Sequence, residues 1–264
     1  MLGVSRSGYY DWLRRRPSMR QQEDRKLARE IAAIQRETRQ TYGYPRMQAA
    51  LARHGHAHGK HRVARLMREL GLQAKMRKRF RANPGAHEFY GGVGNLLLGQ
   101  APPQAPDRVW VSDFTYLKTR RGPCYLGVIM DLYSRQILGW SFSKQRNAQL
   151  TQAALNAALQ ERSYPKDVIV HSDQGIEYAA YAYRDALLDA DLEQSMSRRG
   201  NCYDNAHMES FFHSLKTERV HFERYRDMGE AQTSIEDYIH YYNTRRLHSR
   251  LGYRSPVEYE RWTA

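Results

Sequence analysis

The chain has 264 residues, enough to bury a sizeable core in one or two domains. Its formal net charge of +14 disfavours a small-molecule enzyme and indicates a polyanionic partner. The two cysteines, Cys124 and Cys202, exclude a disulfide framework, and no apolar run approaches the roughly 18 residues of a membrane-spanning helix. We therefore expect a soluble, cytoplasmic protein without a membrane partner.

The positive charge is concentrated in the first part of the chain. Residues 1–106 contain 21 Lys and Arg against 7 Asp and Glu, whereas residues 107–264 contain 21 of each class. This asymmetry predicts a nucleic-acid-binding module followed by a globular domain with a different task.

Helical periodicity dominates the basic part. Residues 5–16 predict a short aromatic helix, and residues 21–39 predict a charged amphipathic helix. We assign residues 1–40 to an N-terminal helical segment.

Two short helices around a tight loop are predicted next, within residues 41–85. Pro45 suits the first turn of one helix, and an apolar stripe from Val63 to Leu70 marks the other, which Gly71 ends. Arginines on the second helix and the basic run after it indicate a helix-turn-helix; the alternative is a solvated basic face on a helical hairpin. The candidate DNA-contacting residues are Arg62, Arg65, Arg68, Lys75, Arg77, Lys78 and Arg79.

A cluster of histidines lies around the predicted loop, at His54, His56, His58 and His61. Such a cluster is compatible with a metal site. The interspersed glycines and the lack of a nearby cysteine favour a polar loop between helices instead.

Residues 86–106 are rich in Gly, Pro and Ala and predict a linker. Beyond them, an α/β domain with a mixed sheet is predicted, in which an antiparallel meander precedes helical crossovers and the first and fourth strands are adjacent. The predicted elements are strands at 109–117, 124–130 and 136–143, a helix at 148–161, a strand at 167–173, a helical stretch at 178–190, a strand near 192–198 and a long helix from Asp204.

Two aspartates stand at unusual places in these strands. Asp113 interrupts an apolar strand on the face shared by Val111 and Thr115, so it is either solvated near an edge or holds a cation. Asp173 follows an apolar strand at its carboxyl end, where open α/β sheets bind ligands, although capping the next helix is an equally ordinary role.

A third acid, Glu209, lies one turn into the last long helix. Asp204 is a plausible N-cap of that helix, with Tyr203 and Met208 placed as a hydrophobic staple. Lys216 follows Glu209 by two turns on the same face. Taken singly, a glutamate on a helix is usually only solvated.

Together, the three acids predict a site for divalent cations. Magnesium prefers hard oxygen ligands, and a two-metal phosphoryl-transfer site needs acids from separate elements that converge on one point. Two strands and a helix can deliver Asp113, Asp173 and Glu209 in this way.

The spacing of the acids also carries a resemblance. Thirty-five residues separate Asp173 from Glu209, and Asp113 lies 60 residues before Asp173. This pattern resembles that of retroviral-integrase-like transposases, in particular the second reading frame (OrfB) of the insertion sequences called the IS-three family. The matching words are LGVSRSGYY at 2–10, YGYPR at 42–46, RVARLMRELGL at 62–72, WVSDFTYL at 110–117, DLYSR at 131–135, HSDQG at 171–175, DNAHMESFF at 204–212, LKTE at 215–218 and YNTRRLHSRLGYRSP at 242–256.

The resemblance implies a ribonuclease-H-like catalytic core at 107–225, continued by a C-terminal helix and tail at 226–264. It implies DNA strand cleavage and transfer with two Mg²⁺ ions, for which Mn²⁺ can substitute, held by the three acids named above. The family's basic residue seven positions after the catalytic glutamate corresponds to Lys216, which is expected to contact terminal DNA.

The expected partners are element-end and target DNA, further copies of the chain on that DNA, and the upstream-frame (OrfA) product, separate or fused. The expected location is the bacterial cytoplasm, at the nucleoid when DNA is bound. No sustained heptad repeat precedes the core, so end binding or dimerisation is expected to need the upstream frame. The alternatives are a nuclease of the same fold that cuts without joining and a non-catalytic DNA-binding regulator acting through residues 1–81.

Overall fold

The computed structural model describes residues 3, 5–75, 92–198 and 205–263. The chain divides into two compact units, Met1–Lys75 and Met76–Ala264, which are described separately. The predicted DNA contacts Arg77, Lys78 and Arg79 lie outside the described residues, as do the predicted cap Asp204 and its neighbour Tyr203.

The first unit is all-helical. Its helices are α1 (Arg6–Arg14), α2 (Met19–Glu37), α3 (Tyr44–Arg53) and α4 (Lys60–Glu69). Helices α2, α3 and α4 contact one another, and α1 buries no side chain. The buried apolar residues of the unit are Leu27, Ile31, Ile34, Tyr42, Met47, Ala50, Leu51, Val63, Leu66 and Met67.

Local sequence explains the ends of these helices. Ser18 accepts a hydrogen bond from Gln21 N while the Gln21 side chain accepts one from Ser18 N, a capping box that starts α2. Pro45 lies in the first turn of α3, as predicted, because its missing N–H has no partner to lose there. Gly71 follows α4 with a φ of 65°, a left-handed conformation that glycine adopts at little cost.

The histidine cluster forms part of the connection between α3 and α4. The His56 and His58 rings stack with centroids 6.1 Å apart, and His56 Nε2 lies 3.4 Å from a Glu30 carboxylate oxygen. Across the described part of the chain, no group of three His, Cys, Asp or Glu side chains is close enough to hold one metal ion.

The second unit contains a five-stranded mixed sheet with flanking helices, which confirms the predicted fold class. Its strands are β1 (Val109–Thr119), β2 (Gly122–Asp131), β3 (Ile137–Ser143), β4 (Ile169–Ser172) and β5 (Glu193–Met196). Its helices are α5 (Ala148–Glu161), α6 (Ile176–Ala179), α7 (Tyr181–Asp189), α8 (Ala206–Glu218), α9 (Met228–Thr244) and α10 (Pro256–Thr263), with 3₁₀ turns at Val220–Phe222 and Ser249–Leu251.

The strand order in the sheet is β3-β2-β1-β4-β5. The first three strands form an antiparallel meander, and β4 and β5 are parallel to β1. The predicted adjacency of the first and fourth strands is therefore present, with Val111 opposite His171.

Two predicted helices differ in detail from those observed. The single stretch expected at 178–190 is two helices, because Ala180 between α6 and α7 has an extended backbone (φ −61°, ψ 137°). Helix α8 begins at Ala206, after Asn205, whose side chain makes no capping hydrogen bond.

Apolar residues cover both faces of the sheet. Val111 and Leu117 of β1 pack in a core with Met208 and Phe211 of α8, while Trp110 packs in a second core with residues of α5 and α7. This alternation follows from the two-residue period of a strand. It also decides which side chains of β1 face α8.

The segment before β1 is attached to the far edge of the sheet. Met196 N of β5 donates to Gly94 O over 3.1 Å, and Leu96 N donates to the Ser195 hydroxyl over 3.0 Å. The later part of the predicted linker is thus held against the α/β unit by hydrogen bonds.

Candidate active site

Asp113 lies within β1 on the face that α8 covers. By the two-residue period of a strand, it shares that face with Val111 and Thr115, while Phe114 packs against the core on the opposite face. The carboxylate is half-buried, and one of its oxygens accepts a hydrogen bond of 2.7 Å from Phe114 N. That bond fixes the carboxylate relative to the strand.

Asp173 follows directly after β4. Continuing the β1–β4 register two residues beyond the pair Val111–His171 sets Asp173 beside Asp113. Its Oδ1 accepts a hydrogen bond of 3.0 Å from Gly175 N. A Cβ on Gly175 would lie 3.0 Å from that oxygen and 2.9 Å from a Glu177 oxygen, so a side chain there would displace these two carboxylates.

The strand that carries Asp173 is fixed by a buried polar cluster. The imidazole of His171 is fully buried and hydrogen-bonds through its two nitrogens to the hydroxyls of Ser195 (2.8 Å) and Ser197 (3.1 Å). Because buried polar groups are costly unless paired, these bonds hold β4 and β5 in one register next to the site.

Helix α8 supplies Glu209 in its first turn and Lys216 in its last. The Asn205 amide donates to Ser112 O over 3.4 Å, which brings the start of the helix to the residue before Asp113. Glu209 is exposed, whereas Lys216 is half-buried with its ammonium 5.8 Å from the centroid of the Tyr116 ring.

The pKa of Asp113 depends on the charges of Asp173, Glu209 and Lys216. Desolvation raises the pKa of Asp113 well above its ordinary value, and the negative charges of Asp173 and Glu209 raise it further, while Lys216 lowers it. Burial also raises the pKa of Glu209 and lowers the pKa of Lys216. Negative charge is therefore concentrated around Asp113 against one nearby ammonium.

This donor set suits a hard divalent cation. Carboxylate oxygens are the ligands that magnesium prefers, and a cation would relieve the repulsion that raises the Asp113 pKa. In the described ranges, the three acids are not close enough together to form a three-ligand cluster.

Sequence reasoning missed an ion pair beside the site. The Arg146 guanidinium lies 4.4 Å from the centroid of the Phe114 ring and binds both oxygens of Glu177, with Nη2 at 3.1 Å from Oε2. Glu177 is buried, and the charge of Asp173 helps to raise the Arg146 pKa. No sequence signal connects these residues, because they are 31 positions apart.

A second unpredicted pair fixes the far end of α8. Buried Arg246 donates to both carboxylate oxygens of Glu218, at 2.6 and 2.9 Å, and to the Ser214 hydroxyl at 3.1 Å. Tyr238 of α9 also donates to Glu218, over 2.9 Å. The C-terminal segment therefore holds the helix that carries Glu209 and Lys216.

The predicted DNA contacts of the first unit fall into different environments. Arg62 and Arg65 both bind Asp24 of α2, at 2.7 and 2.6 Å, so their guanidinium groups are engaged within the unit. Arg68 is exposed on α4, and Lys75 is half-buried at the end of the unit.

Comparison with known proteins matches the two units to two kinds of domain. A model described as an HTH-like domain matches residues 21–80, and models described as an integrase core domain match residues 103–202 and 209–263. The chain is 43% identical over 260 residues to an insertion element IS600 31 kDa protein of Shigella sonnei, covering 98% of this chain and 96% of that protein. It is 39% identical over 265 residues to the transposase InsF for insertion sequence IS3A of Escherichia coli strain K12, covering 98% and 91%.

The chain belongs to the IS3 family of insertion-sequence transposases. Identity at this level over nearly the whole chain includes both the helix-turn-helix-like unit and the integrase core. The predicted family and its function in transposition are thus confirmed.

A solved structure supports the fold. A chain of the simian T-cell lymphotropic virus intasome in complex with the PP2A regulatory subunit B56 gamma superposes with a TM-score of 0.53 at 16% identity, covering 81% of this chain and 70% of that one. At that identity the likeness concerns the fold alone. None of the described helices is long and apolar enough to cross a membrane.

Proposed function

We propose that Asp113, Asp173 and Glu209 are the carboxylates of a metal-dependent DNA strand-transfer site. The carrying observation is the position of Asp113 on the central strand of the sheet, where burial raises its pKa and the nearby charges of Asp173 and Glu209 raise it further. Parallel pairing of β1 with β4 and the packing of α8 on β1 produce this juxtaposition.

Asp113, Asp173 and Glu209 would hold two Mg²⁺ ions, or Mn²⁺ in their place, and the chemistry supplied there would be activation of a water or a 3′-hydroxyl and stabilisation of the leaving oxygen of the phosphodiester. The backbone amides of Phe114 and Gly175 orient the carboxylates of Asp113 and Asp173. Lys216, whose charge lowers the pKa of Asp113, would hold a phosphate of the terminal DNA. The nucleophile belongs to DNA or water, so no covalent protein intermediate is required.

The proposed partners follow from the two units. The helix-turn-helix-like unit binds element-end DNA, through Arg68, Lys75 and the basic run after it, and the core engages end and target DNA. Further copies of the chain, and the upstream-frame product, complete the assembly on DNA.

The decisive test compares Asp113→Asn, Asp173→Asn and Glu209→Gln in an assay of cleavage and joining of labelled element ends. Each amide keeps the shape of the side chain but weakens metal binding, so both products should fall by at least about a hundredfold while DNA binding persists. The assay contains Mg²⁺ or Mn²⁺, with and without the upstream-frame product.

The matched control is Asp185→Asn, an exposed aspartate of α7, which should leave both products unchanged. Retained joining by any of the three variants would remove that residue from the site. Cleavage without joining by the unaltered protein would indicate a nuclease, and binding without either product would indicate a regulator.

A further inference from the structure

Two sequence motifs, at 131–135 and 242–256, contribute no residue to the proposed carboxylate site. Both line a cleft of about 1130 Å³ in the α/β unit. Val109 and Val111 of β1 form part of its floor, and Asp113 follows on the same face, two residues or about 7 Å further along. The cleft therefore lies next to the proposed catalytic centre.

Arg135 reaches the cleft from a strained turn. The buried carboxylate of Asp131 accepts hydrogen bonds from Ser134 N (2.7 Å), the Ser134 hydroxyl (2.9 Å) and Asp107 N (2.9 Å), which fixes the turn after β2. In that turn Arg135 has a φ of 65°, a conformation that costs a non-glycine residue on the order of 1 kcal/mol.

Arg250 is presented by a closed loop on another wall. His248 N donates to Arg254 O over 3.0 Å, Tyr253 N donates to His248 O over 2.8 Å, and Gly252 supplies the left-handed residue that closes the turn. Arg250 is exposed in this loop and lines the cleft, as does the exposed Arg108.

The positive charge of the cleft is poorly compensated. Within the described ranges, no carboxylate forms an ion pair with Arg135 or Arg250, and Asp167 is the only acid along the lining. Desolvation lowers the pKa of Arg135, Tyr242 and Asp131 raise it in part, and the nearby Arg250 charge lowers it. An anion in the cleft would supply the missing acceptor, and guanidinium groups suit phosphate oxygens.

Aromatic side chains line the same cleft. Tyr133 and Tyr259 pack with ring centroids 5.3 Å apart at an angle of 49°, beside the apolar residues of the floor. Both side chains are half-buried, so part of each ring remains accessible from the groove. Grooves that combine cations with accessible rings are the usual surface for single-stranded nucleic acid, since every base can stack. The volume also exceeds the range of about 300–1,000 Å³ that is typical of small-molecule sites.

We propose that this cleft binds an unpaired stretch of DNA next to the strand that is cut or joined. Its phosphates contact Arg135 and Arg250, and its bases pack against Tyr133 and Tyr259. The identity of the polymer as DNA rests on the proposed function. An unpaired strand fits better than a duplex, because bases that are still paired cannot stack on protein rings.

The test measures binding by the full chain to a labelled single-stranded oligothymidylate and to a duplex of equal length, using fluorescence anisotropy. Arg250→Gln and Arg135→Gly are compared with Arg184→Gln, an exposed arginine of α7 outside the cleft. Each cleft variant should weaken single-strand binding by about tenfold, and duplex binding by much less, whereas the control changes neither.

Glycine is chosen at position 135 so that a loss of binding cannot be ascribed to a loss of folding. It relieves the positive φ and should leave the melting temperature unchanged or higher. A photoreactive thymidine analogue in the oligonucleotide should cross-link to Tyr133 or Tyr259, read by mass spectrometry. Equal losses for single strand and duplex, or no loss in variants that melt normally, would overturn the proposal.

The single-strand binding result does not depend on the carboxylate site. Asp113→Asn should still bind the single strand, because the cleft arginines remain. If Asp113→Asn abolishes joining while the arginine variants bind normally, only the cleft proposal fails. If the arginine variants lose single-strand binding while Asp113→Asn still joins DNA, only the proposed carboxylate site fails.

Discussion

At the scale of single residues, Asp113 carries an electrostatic penalty in the folded protein. It is held among other acids in a partly desolvated position, so its ionised form is less favourable in the folded protein than in the unfolded chain. Acids with such perturbed pKa values cluster at functional sites.

This strain predicts a pH-dependent effect of Asp113→Asn on stability. The folded pKa is raised, so the penalty is absent below the ordinary value of 3.8 and grows as the pH rises through the folded pKa. Without divalent ions, the variant should therefore melt higher than the unaltered protein at neutral pH, by about 2–4 °C for 1 kcal/mol. At pH values below the ordinary Asp pKa, the two should melt together.

Thermal unfolding followed by circular dichroism across this pH range measures the effect. Mg²⁺ should stabilise the unaltered protein more than the variant, because ligand binding to the folded state raises its stability. A variant that melts lower at neutral pH without metal would contradict the electrostatic account.

The second prediction at this scale concerns Lys216. Its ammonium is half-buried near Asp113, and desolvation outweighs the attraction of that acid in setting its pKa. One charged contact to phosphate contributes less than a metal ligand, so Lys216→Ala should lower joining by about tenfold to a hundredfold. Lys216→Arg should retain much of the rate, because the position needs charge more than a planar fork.

The effect of each Lys216 variant is measured as a joining rate on element-end DNA and on scrambled-end DNA. The alanine variant should lose more on the element end than on scrambled DNA. An unchanged rate on the element end would mean that Lys216 is only part of the surface.

At the scale of elements, the position of α8 depends on the C-terminal segment. Arg246 and Glu218 form a buried, doubly hydrogen-bonded ion pair across 28 residues of sequence. Removing one member of such a pair leaves a buried charge without its partner. Arg246→Met should therefore destabilise the protein by about 3–5 kcal/mol.

The double variant Arg246→Met with Glu218→Gln should recover part of that loss, since no uncompensated charge remains. Lys166→Met, which breaks an exposed ion pair with Asp191 of 2.6 Å, is the matched control and should change the stability little. Denaturant unfolding measures all three. Equal small losses for Arg246→Met and the control would show that the buried pair does not anchor α8.

Close packing also restricts which residue can occupy position 139 of the α/β unit. A Cβ on Gly139 of β3 would lie 2.2 Å from Ala154 O and 2.5 Å from Ala158 N of α5. The glycine therefore lets the helix approach the sheet, which keeps the three-stranded meander covered on that face.

At the scale of the whole molecule, the uneven charge predicts how DNA affinity depends on salt. The entire formal excess lies before residue 107. Because Arg62 and Arg65 are engaged with Asp24, we expect Arg68, Lys75 and the basic run after it to contribute most of the phosphate contacts. Each phosphate neutralised adds about 0.9 to the slope of affinity against salt.

A fragment of residues 92–264 tests this. It keeps the hydrogen bonds of Gly94 and Leu96 to β5, and it should bind duplex DNA more weakly than the full chain with a shallower salt slope. Titrations between about 50 and 200 mM salt give both quantities. Equal affinity and slope for the two proteins would place the DNA contacts in the core instead.

Much of this molecule is readable from its sequence. Period-two and helical patterns placed the five strands and most helices within a few residues, because each element buries one face. The spacing of Asp113, Asp173 and Glu209, with the words around them, identified the family before any coordinates. The proposed catalytic roles of these acids remain predictions.

Contacts between residues far apart in the chain were decided only by the tertiary structure. The pairing of Arg146 with Glu177 and of Arg246 with Glu218 leaves no periodic signal, and neither does the engagement of Arg62 by Asp24. The split at Ala180 and the cleft beside β1 likewise arise from packing. Local patterns report which face of an element is buried, whereas the identity of a long-range partner depends on how the elements meet.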